Sequence, residues 1–254
     1  MLEIDLTKSY PHLSKAPIVE AVIEIRANAE KKWVEKDFLV TLKKLVPGYS
    51  KISAQHEYKH EIKLRPDKKS EPKVVDPVFK GARIQSESKP QVVQFNRDGF
   101  IFSRLKPYET WESLYKESGM LWDIYKKFVC PVTINRVGVR FINKIILPLD
   151  KLNMSDYLQG APKSPGDLNF PFAGFFHQDT LIVPESPYKI NLIRTIQNPE
   201  QAKGIQLIID IDIFNDNHYE INDDILLSSL SDMRCLKNVI FFNCITEKTL
   251  ELLR

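Results

Sequence analysis

Residues 134–147 carry the feature that most constrains this fold, a long run that alternates with period two. Val137, Val139, Phe141, Ile145 and Leu147 fall on one face. Arg136, Gly138, Arg140, Ile142 and Lys144 fall on the other. Successive strand side chains point to opposite faces, so this pattern predicts a half-buried strand whose apolar face needs a covering layer.

The cover stands directly before it. After Pro107, the residues Trp111, Leu114, Tyr115, Ser118, Leu121, Trp122, Tyr125 and Phe128 recur at three- and four-residue steps. That spacing predicts a helix from Pro107 to Pro131 with one broad apolar stripe. Gly119 weakens such a helix by about 1 kcal/mol relative to alanine, which suggests close packing at that point.

A second alternating run lies near the start, in APIVEAVIEIR. Val19, Ala21, Ile23 and Ile25 share one face; Glu20, Val22, Glu24 and Arg26 share the other. A helix is expected over 32–45, stopped by Pro47-Gly48. Strands are expected at 54–64, 79–88, 91–96 and 100–105, with hairpin-turn chemistry at Asn96-Arg97-Asp98-Gly99. The segment 65–77, rich in proline and charge, reads as a loop.

After the central strand come a short helix near Ser155–Leu158, a proline- and glycine-rich loop over 160–171, and strands at about 172–183, 188–197 and 204–214. Asn222 opens a helix with acids in its first turn. Thr246 is expected to cap a last short helix, with Thr249 and Glu251 exposed. The halves 16–128 and 132–245 therefore share one order, strand–helix–strands–helix, within a single unit spanning 1–254. The expected fold class is α+β: two pseudo-repeated halves forming a curved antiparallel sheet with helices on one face. The first strands of the two halves, 18–26 and 134–147, are expected as antiparallel neighbours.

The composition is that of an ordinary soluble domain, 43% hydrophobic and 27% charged. A net charge of +3 from 36 basic and 33 acidic residues argues against a dedicated nucleic-acid coat. Cys130, Cys235 and Cys244 show no paired spacing, which fits a reducing compartment, with Cys235 and Cys244 as small core residues. The polar start MLEIDLTKSY predicts no signal peptide, and no run is long enough to span a membrane, so a cytoplasmic location is expected.

No catalytic motif is present, and no catalytic residue or cofactor is assigned. The glycines form neither a phosphate loop nor a dinucleotide fingerprint. His56 and His60 sit on an expected strand, too far apart to chelate one ion. Asp210 and Asp212 alternate on one face of IIDIDIF and could bind a divalent ion only with a third oxygen ligand. Wet-face acids are the simpler reading, and no metal site is assigned. Lys59, Lys63, Arg65, Lys68, Lys69 and Lys73 form a basic stretch, but Glu57, Glu61, Asp67 and Glu71 interleave with it, as in a solvated surface. The candidate binding set is Glu20, Glu24, Arg136, Arg140, Asp210 and Asp212, the charged outer faces of three strands.

The segments APIVEAVIEIR, GFIFSRLKPYETWESL, INRVGVRFINKI and LKNVIFFNCITEKTLELL, in that order, resemble a sporadically distributed prokaryotic family of about this length to which no activity is attached. The duplicated element order also resembles the TATA-binding-protein-like saddle. The first resemblance implies a single unit from end to end, and its distribution suggests a mobile defence or toxin-control system. The expected function is a non-enzymatic cytoplasmic binding or regulatory protein with an unidentified macromolecular partner. One alternative is a binder of a small anionic ligand, or an enzyme, using the charged groove. The other is a nucleic-acid-binding protein.

Overall fold

The two alternating runs meet at the centre of the molecule. The computed structural model describes residues 8–30, 33–58, 60–61, 73–74, 77–148, 153–166, 168, 170, 172–197 and 204–254. Strand β1 (Ile18–Ala29) pairs antiparallel with the long strand later in the chain, Pro131–Leu147, placing Ile23 opposite Val139 and Glu24 opposite Gly138. After β1 come helix α1 (Glu35–Leu45), β2 (Lys51–Glu57), β3 (His60–Glu61), β4 (Lys73–Val74), β5 (Val78–Gln85), β6 (Gln91–Asn96), β7 (Gly99–Leu105) and helix α2 (Trp111–Val129). The long strand is β8 (Pro131–Leu147). It is followed by β9 (Phe176–Ile182), β10 (Lys189–Gln197), β11 (Ile205–Asn215), β12 (Tyr219–Glu220), α3 (Asp223–Cys244) and α4 (Glu247–Leu253).

Among the described residues ten strands form one antiparallel sheet, in the order β2-β5-β6-β7-β1-β8-β11-β10-β9, with β12 on β8; β3 and β4 pair separately. Helices α1, α2 and α3 pack on one face. That face carries Ala21, Ile23 and Ile25 of β1, Phe100 and Phe102 of β7, Val137, Val139 and Phe141 of β8, and Ile209, Ile211 and Ile213 of β11, all nearly inaccessible to water. The fold is thus α+β with helices on one side of an open sheet.

The stripe of α2 supplies much of the cover. Leu114, Ser118, Leu121, Trp122, Tyr125 and Phe128 are buried. Tyr125 is fully enclosed, and its hydroxyl donates to the Asn96 carbonyl at 2.8 Å, as a buried phenol must find a partner. On the same side, α1 packs Phe38 against Phe79 and Phe128.

Several boundaries differ from expectation. Helix α2 begins at Trp111, because Thr110 caps it by accepting from the Ser113 N–H at 3.1 Å; Pro107 lies in the preceding turn. It ends at Val129, with Cys130 in the left-handed region at φ 53°. Helix α1 starts at Glu35, and β2 spans Lys51–Glu57, with His60–Glu61 in the small separate sheet. The expected helix near Ser155–Leu158 is a single 3₁₀ turn, Met154–Asp156, where Asn153 caps Ser155 at once and the buried Tyr157 and Leu158 lead away. At this point the element order of the two halves diverges. Thr249 is fully buried rather than exposed, because its hydroxyl donates to the Tyr157 carbonyl at 2.6 Å. Cys244 is buried as expected, and Cys235 is only partly so. Gly119 has no close neighbour: a Cβ added there would meet nothing within 4 Å, so tight packing is not its role. Most of segment 65–77 lies outside the described residues; within it, Lys73–Val74 form β4.

Candidate functional site

The sheet face opposite the helices brings the six candidate residues together. On β1 it presents Glu20, Val22, Glu24 and Arg26, and on β8 Arg136, Gly138 and Arg140. On β11 it presents Asp210, Asp212 and Phe214. Register sets who can meet. Arg140 lies opposite Val22 and Asp212, Glu24 opposite Gly138, and Asp210 opposite Ile142. No arginine therefore faces a glutamate directly across the β1–β8 pair, and contacts form along diagonals.

Arg136 makes the central contact. Its guanidinium lies along the sheet over Gly138, where a Cβ would stand 2.8 Å from Nη1 and 3.2 Å from the Phe214 Cβ. A glycine within a strand often marks such a close approach. From this position Nη1 donates to Glu24 Oε2, and Nη2 donates to both Asp212 oxygens at 3.0 and 2.9 Å. The guanidinium carbon is 4.5 Å from the Phe214 ring centroid, within cation–π range. Only 12% of this side chain is exposed.

The pairing extends to both sides. Arg26 Nε donates to the free Glu24 oxygen at 2.9 Å. Beyond Asp212, the Asn191 amide approaches Oδ2 at 3.4 Å, and the Thr180 hydroxyl donates to Asn191 Oδ1 at 3.0 Å. One polar line thus crosses β1, β8, β11, β10 and β9. Arg140 forms a separate two-point clamp on Asp210, Nε to Oδ1 at 2.8 Å and Nη2 to Oδ2 at 2.5 Å. Hydrogen bonding to Asp210 raises the Arg140 pKa against the opposing effect of burial, and the charges of Asp210, Asp212 and Glu20 add to it. Glu20 enters through its charge rather than through a hydrogen bond.

Glu20, Glu24, Arg26, Arg136, Arg140 and Asp212 line a shallow groove of about 300 Å³, bounded also by Gln94, Ile101 and Ser103; Asp210 is not among the residues that line it. The charges of this face are matched internally: Arg136, Arg140 and Arg26 against Glu24, Asp210 and Asp212, with Glu20 in addition. Glu20 and Glu24 were expected to meet Arg136 and Arg140. Only Glu24 with Arg136 does so, since Arg140 leans toward β11 instead. Asp210 and Asp212 share a face as expected, but each carboxylate is taken by a guanidinium. Among the described residues no group of three histidine, cysteine or acidic side chains could hold a metal ion. His56 stands 2.9 Å from Glu35. The basic side chains at 59, 63, 65, 68 and 69 lie outside the described residues.

No protein-family model matches the chain, and no curated protein does.

The sequence reading missed Asn191, Thr180 and Phe214. Asn191 and Thr180 are ordinary strand residues, and only the pairing of β9, β10 and β11 reveals their link to Asp212. Gly138 between Arg136 and Arg140 was the available signal, a glycine inside a strand with long cations two residues away on either side. At the far edge of this face β9 mixes apolar and polar side chains, with Gln178 and Thr180 between Phe176 and Ile182. Phe176 and Ile182 of the edge strand β9 are 66% and 75% exposed, and Phe170, in the preceding loop, is 71% exposed. No helix among the described residues is long and apolar enough to cross a membrane.

Proposed function

We propose that this chain is a non-enzymatic cytoplasmic binding or regulatory protein that engages a macromolecular partner through the open face of its sheet, at the β9 end. The carrying observation is a division of that face. Its charged centre is satisfied internally, while the large apolar side chains of Phe176 and Ile182 stand exposed at its rim. Exposed apolar groups beside a polar surface are the mark of an interaction site. A reactive centre would instead hold an ionisable group with no committed partner, aimed into a cavity. The resemblance to a sporadically distributed family extends the proposal to a mobile defence or toxin-control system.

The small-anion reading draws on Arg140. Its side chain is 47% exposed, and Nη1 is not used in the clamp on Asp210. Nucleic-acid binding draws less support, because phosphate tracking needs cations free to displace counterions.

The test is affinity capture from the native host, comparing the parent with a Phe176→Ser, Ile182→Ser variant and assaying protein and nucleic acid in the same eluate. A discrete protein retained by the parent and lost from the folded variant supports the proposal. Equal capture by both, or a salt-labile nucleic acid as the retained species, overturns it.

A further inference from the structure

The sheet is open, and its two edges are built differently. At one edge β2 carries Lys51 and a register shift against β5 between Gln55 and His56. A lysine and a bulge are devices that keep an edge from pairing with another chain. At the other edge β9 has neither. It contains no lysine or proline, and its register with β10 is unbroken from Phe176 to Ile182. Among the described residues no strand pairs with its outer side, and only Asp179 of its seven residues is less than exposed.

The hairpin fixes which backbone groups point outward. The Val183 N–H donates to the Tyr188 carbonyl at 3.0 Å, continuing the register that sets Ile182 opposite Lys189. Hydrogen-bonded pairs alternate along an antiparallel ladder. His177, Asp179 and Leu181 are therefore turned toward β10, while Phe176, Gln178, Thr180 and Ile182 present their N–H and C=O groups to the free edge. The side chains along this edge are self-complementary. A two-fold axis through Asp179 places Phe176 opposite the partner's Ile182 and Gln178 opposite the partner's Thr180. These four lie on the open face, where the Thr180 hydroxyl meets Asn191. Apolar meets apolar at both ends, and amide meets hydroxyl between them. On the helical side His177 faces the partner's Leu181. The two copies of Asp179 meet on the axis, each carboxylate already held by its own Arg194 at 2.7 Å.

We propose that β9 pairs antiparallel with β9 of a second copy of this chain, giving a two-fold dimer with one continuous sheet. Main-chain hydrogen bonds supply the attraction, and the order of the side chains sets the register. The same patch serves both copies, so the contact closes at two. Pairing uses the edge backbone and leaves Phe176 and Ile182 on the open face, where the two copies join them in one surface across the axis. The dimer therefore goes beyond the partner reading and does not rest on it.

The test is sedimentation of the purified whole chain at concentrations up to about 1 mM, which reveals even a weak interface. The parent is expected to move from the mass of one copy to that of two and no further. Gln178→Pro removes an N–H that faces away from β10, a place where an edge strand tolerates proline, and is expected to weaken association by about tenfold or more with the fold intact. Charge tests the register. Gln178→Lys with Thr180→Lys sets like charges opposite each other across the seam and is expected to keep the chain single. Gln178→Lys with Thr180→Glu sets opposite charges there and is expected to associate at least as tightly as the parent. The proposal is overturned if the parent stays single throughout, if its mass grows beyond two copies, if folded Gln178→Pro associates like the parent, or if the two charge variants associate equally. The chain is measured alone, so failure here leaves the capture of a different partner standing.

Discussion

Arg136 reaches Asp212 by lying across Gly138, not by facing it: the residue directly opposite Asp212 on β8 is Arg140. Space above one glycine therefore decides which arginine serves which carboxylate. Gly138→Ala should push the guanidinium off the sheet and separate it from both Glu24 and Asp212. The expected loss is about 2 kcal/mol, in the range for disturbing a half-buried ion pair with its hydrogen bonds intact elsewhere. Denaturant unfolding of parent and variant measures it.

The two arginines should respond differently to removal. Arg136 is 12% exposed and bonded to two carboxylates, so Arg136→Met leaves poorly hydrated acids without a cation and should cost about 3 kcal/mol. Arg140 is 47% exposed with one partner, so Arg140→Met should cost only about 1 kcal/mol. Thermal unfolding of the pair at low and high salt checks the order, and the Arg140 effect should shrink further in high salt.

Gly119→Ala should stabilise the chain by about 1 kcal/mol, because alanine is the better helix former and the added methyl has room. Urea unfolding is the measurement. A loss of stability would mean that the backbone at Gly119 is approached by another group.

Lys237 supplies a pH-dependent prediction. Its ammonium stands 4.7 Å from the Phe141 ring centroid. Burial, with help from the Arg234 charge, pushes its pKa down from 10.5 to about 8. A folded pKa below the unfolded one means that the charged form is penalised in the native state. The penalty is complete below pH 8 and is relieved as pH rises from 8 toward 10.5. Lys237→Met should therefore raise stability at pH 7. The gain should fade by pH 10.5, and unfolding curves at the two pH values test it.

The central pair β1–β8 was legible because Ile23, Ile25, Val137, Val139 and Phe141 mark one buried face by strict alternation. The α2 stripe was legible for the same reason at helical spacing. The charged faces could be listed, but their partners could not be read. A bulge near Asn135 puts Ile134 and Val137 on the same side, and register then offsets Glu24 from both arginines by two residues. The lean of Arg140 toward Asp210 follows from β11 lying on the other side of β8, which local sequence does not encode. The turn at Met154–Asp156 falls short of the expected helix: the buried Met154, Tyr157 and Leu158 imitate helical spacing, but Leu158 forms an isolated β-bridge with Ile245.

An internal repeat is proposed from the strand order, in which β7-β6-β5 on one side of the β1–β8 pair is matched by β11-β10-β9 on the other. Superposing 16–128 on 132–245 tests it. A rotation near two-fold that lays β1 on β8 and α2 on α3 is expected, and failure of β7 to fall on β11 would refute it.

The reading of the open face as a partner surface is tested most directly by hydrogen exchange on the chain alone and in complex with its captured partner. The account predicts slowed exchange in β9, Phe176–Ile182, and in the adjoining β10, with α2 and α3 unchanged. Protection confined to the helices, with β9 exchanging as fast as in the free chain, would contradict it.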